Sequence, residues 1–220
     1  MGIYLFNRKV MEECLDNDLV DFGKHVIPAA INKYRVYSHV FQGYWEDVGT
    51  VLNFFEANLE LAKIVPEYDF FDARNQIYTN PRFLPASKIN SATIVQAIVS
   101  DGCIITDAHI ELSVIGVRSL IEAGTRITET VMMGSDYFER DRLDNAPQNV
   151  PSIGIGRNCR IHRAIIDKNA RIGDNVTIRP EGLDENYDHP EEMFYVRDGI
   201  VVVPKGATIP DGTTIGKPFL

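Results

Sequence analysis

From Ile98 to Ile215 the chain repeats an aliphatic side chain about every six positions. Ile98, Ile104 and Ile110 open the series, and Ile121, Ile127 and Met133 continue it. Ile155, Ile161, Ile166, Ile172 and Ile178 follow, and Val203, Ile209 and Ile215 close it. Gly102, Gly116, Gly124, Gly156, Gly173, Gly206 and Gly212 fall between these positions. An α-helix repeats every 3.6 residues and an open strand every 2, so neither explains the spacing. A parallel β-helix does: each short side sends one aliphatic inward and then turns a corner. Corners suit Gly, Asn and Asp, which tolerate positive φ. Two breaks interrupt the series, residues 134–151, rich in charge, and residues 179–198, acidic with Tyr187, Phe194 and Tyr195. Insertions into a solenoid loop out over its surface, where function is often placed.

The pattern before residue 66 is different. The apolar run GIYLF (2–6) reads as a strand, and residues 8–17 carry Val10, Met11, Cys14 and Leu15 at helical spacing. Asp21 can cap a second helix bearing Val26, Ile27, Ala30 and Ile31, with Pro28 limiting its regularity. RVYSHVF (35–41) reads as a strand with Val36 and Val40 buried, and residues 51–63 as an amphipathic helix with Leu52, Phe55, Leu59 and Ala62 on one face. Alternating strand and helix suggest the tail end of an α/β domain, too short to bury a doubly wound sheet. Pro66, Pro81 and Pro85, with no sustained period, mark a linker. The expected division is therefore 1–65, an α/β remnant; 66–90, a linker; and 91–220, an all-β helix.

Charge and composition narrow the partners. A net charge of −9 argues against nucleic acid, which selects basic surfaces. No apolar run is long enough for a membrane span, and MGIYLFNRKV lacks the apolar centre of a signal peptide. Cys14, Cys103 and Cys159 form no CxxC, which suits a reducing compartment and gives no zinc signature. Cys103 and Cys159 adjoin inward aliphatics and read as packing residues.

Three clusters could carry chemistry. GYWEDVGT (43–50) sets Trp45 beside two carboxylates ahead of a helix; it could hold a sugar against the indole and a divalent cation on Asp47. Equally, Asp47 and Thr50 could cap the helix while Trp45 anchors packing. Lys168 and Lys205 each follow an inward aliphatic by two residues, so both point outward. Brought together on one face with Arg171 they would attract a phosphate or carboxylate; apart, they are solvated surface lysines. His162, between Arg160 and Arg163 on a basic coil, could serve as an acyltransferase base or be structural.

The motifs MGIYLF, DFGKHVIPAAI, GYWEDVGT, EANLELA, IYTNPRFLPASKI, VIGVRSLI, MMGSDYFE, PSIGIG, AIIDKNARIG and GIVVVPKGATIPDGT occur in this order along the chain. Together they resemble the glucose-1-phosphate adenylyltransferases (ADP-glucose pyrophosphorylases) over essentially all 220 residues. The resemblance implies the C-terminal part of a Rossmann-like nucleotidyltransferase domain, followed by a left-handed parallel β-helix used for assembly and allosteric control. It places Tyr4, Asp21, Phe22, Trp45 and Asp47 in the glucose 1-phosphate pocket, with Asp47 also a ligand of catalytic Mg²⁺. It places Lys168, Lys205 and Arg82 at the site of a phosphorylated activator such as 3-phosphoglycerate. It further implies ATP as co-substrate, homo- or heterotetramers, a role in glycogen or starch synthesis, and a cytoplasmic or plastid location. The family's Gly-rich nucleotide loop, catalytic Arg and Lys, and second metal carboxylate match nothing in these 220 residues. The chain is thus expected to start within the catalytic domain and to be inactive alone. Two other readings stay open: a non-catalytic β-helix module that binds a phosphorylated metabolite, and a hexapeptide acyltransferase using His162.

Overall fold

A computed structural model describes residues 2–139 and 150–219. The chain divides into two compact units at Gly43/Tyr44.

The first unit is small. Helix α1 (Arg8–Leu15) starts where the Asn7 side chain accepts a bond from the Lys9 amide at 3.1 Å. A wide helical turn, Phe22–Val26, follows Asp21, whose carbonyl accepts from both the His25 and Val26 amides. It runs directly into α2 (Ile27–Ile31). Cys14, Val26 and Ala30 form the buried core, with Phe6, Val10 and Tyr34 against it. The strands expected at residues 2–6 and 35–41 are not formed. Neither segment carries regular secondary structure or pairs with a strand among the described residues, and Leu5, Val36 and Val40 are exposed, not buried. A lone extended segment has unpaired backbone groups, and β-propensity alone does not hold it in a ladder.

The second unit begins with α3 (Val51–Glu60), shorter at its C-terminus than its apolar pattern predicts. No helix or strand follows among the described residues until Lys88. Short parallel strands then wind in coils. The first coil holds β1 (Lys88–Asn90) and β2 (Thr93–Val99), and the second β3 (Ile104–Thr106) and β4 (His109–Ile115). The third holds β5 (Leu120–Ile121) and β6 (Arg126–Met132), and the fourth β7 (Gly154–Ile155) and β8 (Arg160–Ile166). The fifth runs from β9 (Arg171–Ile172) and β10 (Thr177–Ile178), through an antiparallel hairpin of β11 (Tyr187–Asp188) and β12 (Tyr195–Arg197), to β13 (Ile200–Val203). β14 (Thr208–Ile209) and β15 (Thr214–Ile215) begin the sixth.

The strand register turns the hydrophobic period into three stacks. Ile89, Ile105, Ile121, Ile155, Ile172 and Ile209 align along one side. Ile94, Ile110, Ile127, Ile161, Ile178 and Ile215 align along the second. Val99, Ile115, Met132, Ile166 and Val203 align along the third. Most are fully buried, and each buried Ile contributes roughly 1.5–3 kcal/mol by leaving water. The architecture is thus the expected β-helix, with a local shift in the early coils. Ile105 and Met132, rather than Ile104 and Met133, face inward, and Val99 takes the place expected of Ile98. Where two aliphatics are adjacent, hydrophobicity alone leaves the inward one ambiguous by one residue, and pairing decides it.

The corners are less glycine-dependent than expected. Asp107, Gly124, Asn158, Asn175 and Gly212 turn one edge with positive φ. At another, Gln96, Leu112, Glu129 and Arg163 take the left-handed conformation with φ of 48°, 42°, 44° and 51°. Each sits in the middle of a seven-residue strand, so β2, β4, β6 and β8 each bend over two sides of the solenoid. Stacking supplies what the residue type costs, about 1–2 kcal/mol for a side chain outside Gly.

α3 rests on the outside of these coils. Phe55 and Leu59 form a second buried cluster with Val131, Ile165, Ile200 and Val202. Arg163 lies over the Phe55 ring at 5.5 Å, and its Nε donates to the Gly199 carbonyl at 3.1 Å.

Candidate functional site

The third corner carries a cationic cluster. In the fourth coil the turn Asp167-Lys168-Asn169 follows β8, with Asn169 at φ 61°; in the fifth, Pro204-Lys205-Gly206 follows β13, with Gly206 at φ 71°. The two turns lie in register: the Asp167 amide donates to the Val203 carbonyl and the Gly206 amide to the Lys168 carbonyl, both at 2.9 Å. Lys168 and Lys205 are thereby stacked on adjacent coils, as their spacing predicts for partners on one face.

Between them sits Asp136, which the sequence reading did not single out. Lys168 Nζ is 2.9 Å from its Oδ1, and Lys205 Nζ 3.1 Å from its Oδ2. Asn169 Nδ2 donates to Oδ2 at 3.0 Å, and the Asp136 amide donates back to Asn169 Oδ1 at 2.8 Å. The hydrogen bond from Lys168, then those from Lys205 and Asn169, hold the Asp136 carboxyl far below the usual carboxylate range. Chain geometry makes the approach possible. Gly134 turns with φ 81°, and a Cβ there would collide with the Val117 carbonyl oxygen, so no other residue fits that bend.

Arg171 does not join the lysines. Only 12% of its side chain is exposed; Nη2 pairs with Glu139 at 2.6 Å and Nη1 donates to the Pro151 carbonyl at 2.7 Å. It pins the two ends of the 134–151 break, whose residues 140–149 lie outside the described residues. A buried guanidinium finds its carboxylate before a surface anion can. Arg82 lies exposed before β1 and makes no hydrogen bond or ion pair among the described residues.

In the turn before α3, Thr50 takes the capping role and Asp47 and Trp45 do not share in it. Thr50 caps the helix, its Oγ1 accepting from the Asn53 amide at 3.1 Å. Asp47 instead closes a turn on itself, Oδ1 accepting from the Gly49 amide at 3.2 Å, while its carbonyl takes the Asn53 side-chain amide at 2.7 Å. Its carboxylate therefore stays on the surface, beside a half-exposed Trp45. In the first unit Tyr4 and Phe22 stack with centroids 5.9 Å apart, and Phe6 meets Phe22 edge-on. Asp21 Oδ1 accepts from the Lys24 amide at 2.7 Å, which places Tyr4, Asp21 and Phe22 around Gly23. Asp47 offers one hard oxygen suited to Mg²⁺. Among the described residues no group of three or more His, Cys, Asp or Glu side chains could hold a metal. Asp47 by itself is one ligand and not a metal site.

His162 is hydrogen-bonded through one ring nitrogen and faces a carboxylate with the other. Nδ1 is 3.0 Å from Thr128 Oγ1, and Nε2 faces Glu181 at 3.9 Å. Glu181 in turn is held down at about 2, chiefly by its hydrogen bond from Arg179. Cys103 and Cys159 donate to the Gly116 and Gly173 carbonyls, and burial pushes the Cys159 thiol up to about 11. Both are packing residues, as expected. No helix among the described residues is long and apolar enough to cross a membrane.

A solenoid of stacked aliphatic coils with a cationic corner, led by a short helical segment with its own aromatic–carboxylate cluster, defines a two-part β-helix protein. Residues 82–214 match the GLGC left-handed parallel beta-helix domain, and the chain belongs to that family. The handedness of the solenoid follows from that membership. Residues 1–64 match the nucleotidyl transferase family, which accounts for the short segment that precedes the coils.

Proposed function

We propose that the chain functions as part of a glucose-1-phosphate adenylyltransferase, with the β-helix as its regulatory and assembly half. The observation that carries this reading is the order of the two matches, a nucleotidyl transferase segment leading into a GLGC β-helix. In the reaction a phosphate oxygen of α-glucose 1-phosphate attacks the α-phosphorus of ATP. The bond to the β,γ-phosphates breaks, releasing pyrophosphate and leaving ADP-glucose for glycogen or starch synthesis. Within the first unit Tyr4 and Phe22 offer flat apolar surfaces of the kind a sugar ring stacks on, with Asp21 as a hydroxyl acceptor; within the second, Trp45 and Asp47 offer the same pairing. Mg²⁺, held through Asp47 and a second carboxylate from the rest of such an enzyme, would offset charge on the phosphates. Lys168 and Lys205, with Arg82 nearby in sequence to the coils, would bind an anionic activator such as 3-phosphoglycerate. Tetramers, identical or mixed, and a cytoplasmic or plastid location complete the reading.

These 220 residues contain no Gly-rich phosphate loop, so the chain expressed by itself should bind without turnover. Trp45 is the single tryptophan, so its emission would report on the proposed sugar site. Titration with α-glucose 1-phosphate should change its emission saturably, and Asp47→Ala should remove the response, while no pyrophosphate is released from ATP. A folded sample whose emission ignores α-glucose 1-phosphate into the millimolar range would sink the sugar-phosphate reading.

A further inference from the structure

Asp136 raises a question that the lysine pair alone does not. A surface lysine normally keeps its ammonium in water, yet here two ammonium groups from successive coils converge on one carboxylate. That carboxylate is held in place by the backbone around it. The Ser135 amide donates to the Val117 carbonyl at 2.8 Å, the Asn169 amide to the Gly134 carbonyl at 3.1 Å, and the Asp136 amide to Asn169 Oδ1. The main chain at 134–136 is fixed to the corner, and the side chain is the part free to rotate. About a third of the Asp136 side chain is exposed, so it can leave toward solvent without moving a coil.

We infer that Asp136 is a built-in competitor for the anion site of Lys168 and Lys205, setting both its affinity and its preference for multiply charged ligands. The inference rests on the proposed activator role of the two lysines. A tethered carboxylate competes at high effective concentration, and any ligand must displace it. A free monoanion replaces one negative charge with another, gives up the tether, and loses the bond from Asn169. It gains nothing. A phosphomonoester carries about −1.5 to −2 charges near pH 7 and presents three acceptor oxygens, enough to bridge both ammonium groups after the carboxylate swings out. The corner is therefore a filter in which the occupant's single charge rejects singly charged anions and yields to phosphorylated ones.

The test is isothermal titration of the 220-residue chain with 3-phosphoglycerate, repeated in the presence of potassium acetate. Three proteins are compared, each with its fold checked by circular dichroism: the parent, Asp136→Asn, and the Lys168→Ala, Lys205→Ala double variant. Asp136→Asn keeps the shape and removes the charge. It should tighten 3-phosphoglycerate binding about tenfold or more, as expected when a mostly occupied site is vacated. Acetate, inert toward the parent, should now compete. Saturable binding to the parent that is lost in the lysine variant but is equal or weaker in Asp136→Asn would keep the activator site and overturn the competitor. Binding seen only in Asp136→Asn would support the competitor strongly. Binding that survives the lysine variant, or that is missing from both the parent and Asp136→Asn, would overturn the site and the competitor with it.

Discussion

At the scale of single residues, the charges around the insertions of the solenoid are answered by near neighbours. Arg179 pairs with Glu181 at 2.6 Å and stacks its guanidinium over the Phe219 ring at 4.3 Å, tying the start of the second insertion to the end of the chain. The lowered pKa of Glu181 has a defined pH signature. Its folded value is about 2 against an ordinary 4.5, so its stabilisation is complete above the unfolded value and fades as pH falls toward 2. Glu181→Gln should lower the urea midpoint at pH 6, and the gap from the parent should close between pH 4.5 and 2. A gap that is constant across that window would mean packing, not charge, is what the glutamate supplies. The lysine pair was legible in the sequence because its spacing from Ile166 and Val203 fixes an outward direction. Asp136 was not, since its partners lie in later coils beyond an insertion that erases the period. The same logic separates Arg171, outward by period but captured by Glu139 for a reason that spacing does not encode.

At the scale of elements, α3 shows how far an apolar face can be read. Leu52, Phe55 and Leu59 lie on one side as their spacing predicts, Ala62 falls in the turn beyond the helix, and nothing in the helix names its partner. The partner is a patch of outward residues, Val131, Ile165, Ile200 and Val202, from three strands distant in sequence. These alternate with the inward Met132, Ile166 and Val203, so β6, β8 and β13 are apolar on both faces where the helix lies. Phe55 is 1% exposed, and Phe55→Ala should cost about 3–5 kcal/mol of helix docking. Amide hydrogen exchange should then speed up across Val51–Glu60 and leave β4 and β6 protected. Equal loss of protection in helix and coils would show that the two fold as one cooperative block. The unformed strands at 2–6 and 35–41 mark the opposite limit: their composition favours a sheet, but a sheet is a property of neighbours.

At the scale of the whole molecule, the two units differ in how they hold themselves. The solenoid has a continuous core of more than twenty buried side chains, whereas residues 2–43 bury Cys14, Val26 and Ala30. So small a core supports little independent stability. Hydrogen exchange on the intact chain should find amides of residues 2–43 exchanging within seconds to minutes, while β4, β6 and β8 persist for hours. Comparable protection in both would show that the first unit is stabilised by contacts beyond its own core. The period of six made most of the solenoid readable, because one repeating rule acts at every coil; the first coil, with Ile89 and Ile94 in its stacks, lies ahead of the series that the period shows. The first unit has no such repetition, and its sequence named helices and caps well and strands poorly.

The stacks also act as a ruler. Adjacent parallel strands sit about 4.8 Å apart, a distance set by backbone hydrogen bonds and indifferent to side chains. Lys168 and Lys205 occupy neighbouring rungs of that ladder, so the gap between their attachment points is fixed by the lattice of the sheet. A site built this way changes size only in whole steps. Inserting one designed coil between the fourth and fifth would double the gap, too wide for one phosphate to span, and would part Lys205 from Asp136 while leaving Lys168 and Asn169 on it.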